Sequence, residues 1–193
     1  MHDVKAPRPG PARDRSIEHS EVLRIVGELE QPYSTVVALM HATGIELSVA
    51  LSLKRRDVDF DRGEIRARGT KTRSRNRVVT IEPWGLEYLR QYARAFLPNA
   101  CLFAGLNRWT VSDKHREACA RLQIEDYQLR DSRHTYAVRA IRAGASFEAV
   151  ARQLGHANTA MVSHVYGRYE PTEKERRDWH RIAEAQDAAS GTK

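Results

Sequence analysis

The sequence predicts an α+β fold that is mostly α-helical, with a small antiparallel sheet on one side. Apolar residues recur at helical spacing along most of the chain. Only the stretch 57–81 combines turn residues with the β-branched arms of a hairpin. A length of 193 residues, of which 41% are hydrophobic, supports one domain with its own core. We place this domain at 17–187, between a flexible, basic, proline-rich tail at 1–16 and a disordered tail at 188–193.

Three helices and then the sheet are predicted for the first half of the chain. Pro32 favours a helix that starts just after it, and the glycine at the end of 42–44 favours a break. The second arm of the hairpin is β-branched throughout, which favours a strand. The predicted helices are 21–29, 33–41 and 47–53, and the predicted strands are 57–60, 64–68 and 78–81.

The second half of the chain predicts helices only. An amphipathic helix follows Pro83 and ends at Pro98, and another helix covers 111–122. A block of three short helices then spans 127–169, and Pro171 can begin a last helix. In the block, Asp131 or Ser132 can cap the first helix and Gly144 ends it, Ser146 caps the second and Gly155 ends it, and Asn158 or Thr159 begins the third.

Composition and charge narrow the class of protein. The net charge of +7 favours a polyanionic partner, with nucleic acid first. No apolar run approaches the length of a membrane span, and the N-terminus has no secretory signal region. Cys101 and Cys119 lack the spacing of a metal site and are typical of reduced cytosolic cysteines. We therefore expect a cytoplasmic protein with no membrane partner.

Polar residues lie at the joints of the three-helix block. Arg130 and Arg133 flank the start of its first helix. His156 follows the glycine that ends the second helix, and Tyr166 lies ten residues further on. Because a helix start offers unpaired N–H groups and a positive dipole end, two arginines there favour an anion. We expect these four side chains to form a phosphate-facing pocket.

The block resembles the second motif block of the tyrosine recombinases, also called phage integrases. Their usual pattern is H-x-x-R-H-T, then L-G-H, then the nucleophilic tyrosine. Arg130 stands where the family usually has histidine or lysine. The resemblance covers about 20–169 of the chain, and its combination of fixed residues is specific. The matching residues are Arg133, His134, Thr135, Leu154, Gly155, His156 and Tyr166.

This resemblance implies that the protein cleaves and rejoins DNA strands. Tyr166 is the implied nucleophile, which forms a 3′-phosphotyrosyl link and frees a 5′ hydroxyl, and Tyr169 is its competitor for that role. Arg133, Arg130 and His156 are implied to hold and neutralise the phosphoryl oxygens. The covalent link stores the phosphodiester energy, so neither a metal nor any other cofactor is implied.

Partners and location follow from the same resemblance. The implied partner is double-stranded DNA, and strand exchange in the family normally takes four protomers on two DNA sites. We expect a homo-tetramer on paired sites and a monomer when free. A prokaryotic, phage or mobile-element origin is implied, with the protein associated with the nucleoid.

The predicted hairpin carries a dense positive charge. No acidic residue lies between Arg66 and Arg77. A two-stranded ribbon of this kind suits contact with DNA phosphates or a groove, and a solvated loop is the alternative. Its GTKT segment looks like the family's hairpin tip, whose lysine is a general acid for the leaving 5′ oxygen, and Lys71 is the match. The residues expected to contact DNA are Arg66, Arg68, Arg73, Arg75 and Arg77.

The first motif block of the family, T-G-x-R-x-x-E followed by D-V-D, is matched only in part. The expected arginine falls on Glu46, and the expected glutamate falls on Val49. In the family that arginine holds the scissile phosphate, so Glu46 places an anion where a cation is expected. Three explanations stay open: Glu46 turns away from the site, Arg55 or Arg56 substitutes, or the protein no longer cleaves DNA.

Two other functions are compatible with the sequence. Glu46 and Val49 favour a recombinase-like module that binds DNA without cleaving it, as does the expectation that only a short tail replaces the family's N-terminal clamp domain. The retention of four motif residues argues against such a module; they are Lys71, Arg133, His156 and Tyr166. A relaxing activity like that of type IB topoisomerases is the third possibility, since it uses the same tyrosine without a partner site.

Overall fold

A computed structural model describes residues 15–68 and 77–156, together with Thr159, Val162 and Arg177. Seven α-helices and three strands lie within these ranges. The helices are α1 (His19–Gly27), α2 (Tyr33–Thr43), α3 (Leu47–Leu51), α4 (Pro83–Ala93), α5 (Arg108–Arg121), α6 (Ser132–Arg142) and α7 (Phe147–Leu154). The strands are β1 (Val58–Asp59), β2 (Glu64–Ala67) and β3 (Arg77–Thr80). The predicted α+β class, mostly helical with a small sheet, is confirmed.

Helix α2 is the centre of the fold. Every residue from Ser34 to Thr43 is buried, as expected for a helix that other elements cover on all sides. Helices α1, α3, α4, α5 and α6 all pack against it. The contact with α4 is especially close, because a Cβ added at Gly85 would come within 2.2 Å of Ala42 Cβ. Only glycine fits there without a shift of the backbone, so α4 packs directly against α2.

The three strands form one antiparallel sheet in the order β1-β2-β3. The register places Ile65 opposite Val79 and Ala67 opposite Arg77. Ile65, Ala67 and Val79 are buried on the inner face, whereas Val78 on the outer face is 57% exposed. Because side chains alternate along a strand, Arg77 lies on the same inner face as Val79. The sheet thus presents one edge of its inner face to helix α7.

Helices α6 and α7 form a second, smaller apolar cluster. Its members are Ala137, Val138, Ile141, Val150, Ala151, Leu154 and Val162. Gly44, at the end of α2, joins this cluster to the main core. Its φ of +69° favours glycine, and an added Cβ would lie 2.5 Å from Leu154 Cδ2 and 2.8 Å from Tyr136 Cδ1. The end of α2 is therefore held tightly against α6 and α7.

Several details of the predicted helix starts differ from the structure, including α1, which begins at His19, and Ser132, which does not cap α6. Helix α5 begins at Arg108, earlier than predicted, because the Asn107 side chain accepts hydrogen bonds from Trp109 N and Thr110 N. Asp131 precedes α6 but does not cap it, since its carboxylate accepts from Gln128 N at 2.9 Å. The predicted cap at Ser146 and the glycine stop at Gly155 are confirmed, the first by a 3.1 Å bond from Ala149 N and the second by a left-handed φ of 74°.

Several predictions fall outside the described residues. They concern the third helix of the block, apart from Thr159 and Val162, the helix expected after Pro171, and both tails. Within the part of the chain that the structure describes, no helix is long and apolar enough to cross a membrane. The same residues contain no cluster of His, Cys, Asp and Glu that could hold a metal ion.

Candidate functional site

Arg133, near the start of α6, is held by the ends of two other helices. Its guanidinium donates to Gly44 O at 3.0 Å and to Leu154 O at 2.6 Å. These carbonyls lie at the C-terminal ends of α2 and α7, where the helix dipole is negative. Because a guanidinium presents its donors in a rigid fork, two fixed acceptors set its orientation. Arg133 is thus a preorganised and half-buried cation.

His156 is the second motif residue that the structure places at this site. Its backbone N–H donates to Ala151 O at 2.9 Å, which closes α7 beyond the left-handed Gly155. Burial, followed by the positive charges of Arg133 and Arg77, lowers the pKa of His156 to about 4, while Glu46 acts in the opposite direction. The imidazole is therefore neutral at pH 7. Its Nδ1 is buried and forms no hydrogen bond with the described residues, so it has capacity to bind a ligand atom.

Arg77 connects the hairpin to the same site. Its Nε donates to Gln153 O at 2.7 Å. The Gln153 amide in turn donates to Thr80 O at 2.7 Å and to Thr43 O at 3.1 Å, and its Oε1 accepts from Thr80 N at 3.1 Å. Gln153 therefore ties α7 to the edge strand β3 and to the end of α2.

The sequence reasoning did not identify Gln153. The available signal was its position three residues after the buried Val150, which places a polar amide beside the apolar face of α7. An amide there has two donors and an acceptor to satisfy, which indicates a structural contact. What it contacts could not be predicted, because its partners lie 73 and 110 residues away in the chain.

A cavity of about 410 Å³ opens beside Arg133. Its polar residues come from α3, α5 and α6 and from the positions just before α3 and α6, and Met40, Ile45 and Leu129 are among its apolar ones. Arg130 is exposed at this cavity and forms no ion pair with the described carboxylates. The polar and charged residues that line it are Glu46, Ser48, Arg108, Ser112, Arg130, Ser132 and Arg133.

Glu46 also lines this cavity. It stands at the N-terminal end of α3, lines the cavity with Arg133, and exerts an electrostatic effect on His156. It does not turn away from the site, so the first of the three explanations is not supported. Val49, the other departure from the motif, is only 4% exposed and belongs to the main core.

Arg55 and Arg56 do not supply a substitute cation here. The Arg55 guanidinium stacks over Phe60, with Cζ 4.3 Å from the ring centroid. The Arg56 guanidinium donates to Asn99 Oδ1 at 2.7 Å. Both line a separate concavity of about 1080 Å³ on the outer side of the sheet, where acidic residues such as Asp59 are interspersed with the arginines. The second explanation is therefore not supported by these contacts.

The arginines predicted to contact DNA fall into different environments. Arg66 is exposed on the outer face of the sheet. Arg68 pairs with the buried carboxylate of Asp57 at 3.0 Å, although its own side chain is 65% exposed. Arg77 lies at the site, as described above. The expected residues Lys71, Arg73, Arg75, Tyr166 and Tyr169 lie outside the described residues.

A buried polar chain anchors α6 beneath the site. His41 Nδ1 lies 2.9 Å from Val37 O, and since a carbonyl can only accept, Nδ1 carries the proton. Burial lowers the pKa of His41 to about 3, so its Nε2 is an acceptor and receives the hydroxyl of Tyr127 at 3.0 Å. The Tyr127 oxygen then accepts from Thr135 Oγ1 at 2.8 Å. Thr135, two residues after Arg133, is thereby fixed to α2.

Comparison with known proteins identifies the class to which this chain belongs. The sequence profile of the phage integrase family matches residues 15–173. The chain belongs to this family. The putative integrase/recombinase y4eF of Sinorhizobium fredii is 30% identical over 146 residues, which cover 68% of this chain and 55% of the relative. The tyrosine recombinase XerA of Thermococcus kodakarensis is 26% identical over 170 residues, which cover 80% and 57%.

Solved structures agree with this fold. XerA recombinase superposes with a TM-score of 0.70 at 20% identity, covering 93% of this chain and 67% of that one. The catalytic domain of bacteriophage HP1 integrase gives a TM-score of 0.64 at 23% identity, with coverage of 83% and 90%. The chain spans about half the length of the curated relatives it matches, at 46% and 55% for two of them.

Proposed function

We propose that this protein is a site-specific recombinase that cleaves and rejoins duplex DNA through Tyr166. The observation that carries the proposal is the meeting of Arg133, His156 and Arg77 at one site, although they come from α6, the end of α7 and the hairpin. Such a set provides fixed donors and positive charge for a phosphate. Membership of the phage integrase family supports the same reaction.

The reaction begins with attack of the Tyr166 phenolic oxygen on the phosphorus of a DNA phosphodiester. The new P–O bond to tyrosine forms as the bond to the 5′ oxygen breaks, which leaves a 3′-phosphotyrosyl link. The phenolic proton is lost to solvent, and Lys71 protonates the leaving 5′ oxygen. Rejoining reverses these steps with a 5′ hydroxyl as nucleophile, so no cofactor is consumed.

Arg133, Arg130 and His156 stabilise the charge that develops on the phosphoryl oxygens. Arg133 supports this role through its fixed orientation, and Arg130 through its exposure at the cavity. Arg130 cannot act as an acid, since a guanidinium stays charged near neutral pH. His156, which is neutral at pH 7, donates a hydrogen bond instead of carrying charge.

The wider assembly belongs to the same proposal. Residues 17–187 act as the catalytic unit, with 1–16 and 188–193 as tails. The partner is double-stranded DNA, on which four protomers bring two sites together, and the free protein is a monomer. Structures of similar fold contain DNA, among them the Tn1549 transposon integrase with a circular intermediate, at a TM-score of 0.69. The reaction takes place in the cytoplasm, on nucleoid or mobile-element DNA.

A DNA-binding module without cleavage is the second candidate. The position of Glu46 on the cavity wall favours it, because a carboxylate there repels a phosphate. Two like charges about 4 Å apart repel by roughly 4 kcal/mol at an effective dielectric near 20, which equals a loss of about 10³ in rate. The outcome depends on whether other cations at the cavity offset this repulsion.

A covalent-trapping experiment separates the two candidates. Purified protein is incubated with nicked duplexes made from DNA that flanks its gene, and denaturing gels are examined for a protein–DNA adduct. An adduct that wild type forms and Tyr166→Phe does not form supports the recombinase. DNA binding without an adduct in wild type, together with an adduct in Glu46→Arg, supports the module. DNA binding with no adduct in any variant contradicts cleavage by this chain on those sites.

A further inference from the structure

The cavity beside Arg133 contains one cation that the family motifs do not account for. Arg108, at the start of α5, lines it together with Arg130 and Arg133. Arg108 is exposed and forms no ion pair with any described carboxylate. Its guanidinium lies 4.5 Å over the ring of Trp109, which is itself 69% exposed. A solvent-accessible arginine with no acidic partner among the described residues is available to bind an anion.

An unsatisfied hydroxyl lies in the same cavity. Ser132 is fully buried, and its Oγ forms no hydrogen bond within the described part of the chain. A buried hydroxyl without a partner is costly, and such a group in a cavity indicates a missing ligand atom. Ser132 adjoins Arg133 at the start of α6, so its hydroxyl and that guanidinium serve the same cavity. Both observations point to an anion with hydrogen-bond acceptors.

We propose that Arg108 holds the scissile phosphate in place of the family arginine that is replaced by Glu46, and that Ser132 Oγ is an additional donor to the same phosphate. This inference rests on the proposed function. Arg108 reaches the cavity from α5, whereas Glu46 lines it from α3, so the positive charge is restored from another wall. Arg108, Arg130 and Arg133 then provide three cations against the single carboxylate of Glu46.

A double-variant experiment tests the replacement. In the adduct assay on the nicked duplex, Arg108→Gln lowers the rate by about 10²-fold, as expected for loss of one preorganised donor. Ser132→Ala lowers it by about 5-fold, as expected for one hydrogen bond. In the Glu46→Arg background, Arg108→Gln costs less than about 5-fold, because the family arginine has been restored. Arg116→Gln on the same helix, whose side chain pairs with Asp113 at 2.8 Å, is the control and stays within about 2-fold.

Two results would overturn the replacement. One is a loss in Arg108→Gln no larger than in Arg116→Gln. The other is an equal loss with Glu46 and with the Glu46→Arg change, which would place Arg108 in general contact with DNA and not in the role of the missing arginine.

A binding measurement keeps the inference testable without cleavage. Inorganic phosphate is titrated into wild-type protein while the side-chain Nε signals of arginine are followed by NMR. The Arg108 and Arg133 signals are expected to shift with one dissociation constant, and the Arg116 signal is expected to stay in place. A shift at Arg133 without one at Arg108, or no shift at either, contradicts the inference. A joint shift in a protein that forms no adduct would retain this phosphate site and reject the proposed cleavage.

Discussion

The two walls of the cavity follow different rules. On the α6 wall, Arg133 is fixed by two backbone carbonyls at the C-terminal ends of α2 and α7. On the wall of α3, an acid stands where the family has an arginine. Glu46 nevertheless suits its local structure, because a carboxylate at a helix start interacts favourably with the dipole. Glu46 is therefore favourable for the stability of α3 although its charge is unfavourable for binding a phosphate.

The largest expected effect on the rate comes from substitution of Arg133, on the α6 wall. Arg133→Ala removes a preorganised cation from the phosphate and is expected to lower the rate of adduct formation by about 10³-fold or more. Arg142→Ala is the matched control on α6, since its guanidinium pairs with the exposed Glu18 at 3.2 Å. The rate of adduct formation on the nicked duplex is measured for both variants. Similar rates for both variants would show that the α6 wall does not hold the phosphate.

Substitution of Glu46, on the α3 wall, is expected to raise the rate of adduct formation. Glu46→Arg removes a repulsive charge and restores an attractive one, so adduct formation rises by about 10³-fold. Glu46→Gln removes only the repulsion and gives a smaller rise. Glu117→Arg, on the exposed side of α5, controls for added positive charge. A fall in rate in both Glu46 variants would mean that the carboxylate assists the reaction.

Substitution of Gly44, where α2 packs against α6 and α7, is expected to lower the stability of the fold. Gly44→Ala forces a side chain into the left-handed region and against Leu154 and Tyr136, which we expect to lower the free energy of unfolding by about 2–4 kcal/mol. Gly27→Ala is the control, because nothing lies within 4 Å of its added Cβ, and it changes stability by less than about 1 kcal/mol. Urea unfolding measures both. Equal stability of the two variants would show that α2 and α7 do not pack as described.

Low pH is expected to destabilise the fold through the buried His41 and His115. Burial lowers the pKa of His41 to about 3 and that of His115 to about 4, from 6.5. Between pH 6.5 and about 4 the unfolded chain binds protons that the folded chain does not bind. The free energy of unfolding is therefore highest above pH 6.5. Between pH 6.5 and about 4 it falls by roughly 1 kcal/mol per pH unit for each of the two histidines. Urea unfolding of His115→Phe should show a shallower pH dependence than wild type, and an unchanged slope would contradict this.

Local signals predicted the framework well. The left-handed Gly44 and Gly155, the serine cap of α7 and the β-branched hairpin arm all act over a few residues, so the sequence carried enough information to place them. The motif spacing likewise predicted Arg133 and His156 as site residues, and the structure places both beside the end of α7.

Contacts between distant elements could not be predicted. Arg77 was expected to face DNA, but its bond to Gln153 O spans 76 residues of sequence and depends on how α7 packs against β3. Arg68 similarly pairs with Asp57, which no local pattern indicates. Arg108 belongs to no motif, and its place in the cavity follows only from how α5 packs in the fold.

The most direct test of the central claim is to identify the residue that carries DNA in the trapped adduct. After nuclease digestion, trypsin separates Tyr166 from Tyr169, because Arg168 lies between them. Mass spectrometry then locates the remaining nucleotide. We expect it on Tyr166, in the peptide 153–168. A nucleotide on the peptide that begins at Tyr169, or on no tyrosine, would contradict the proposed nucleophile.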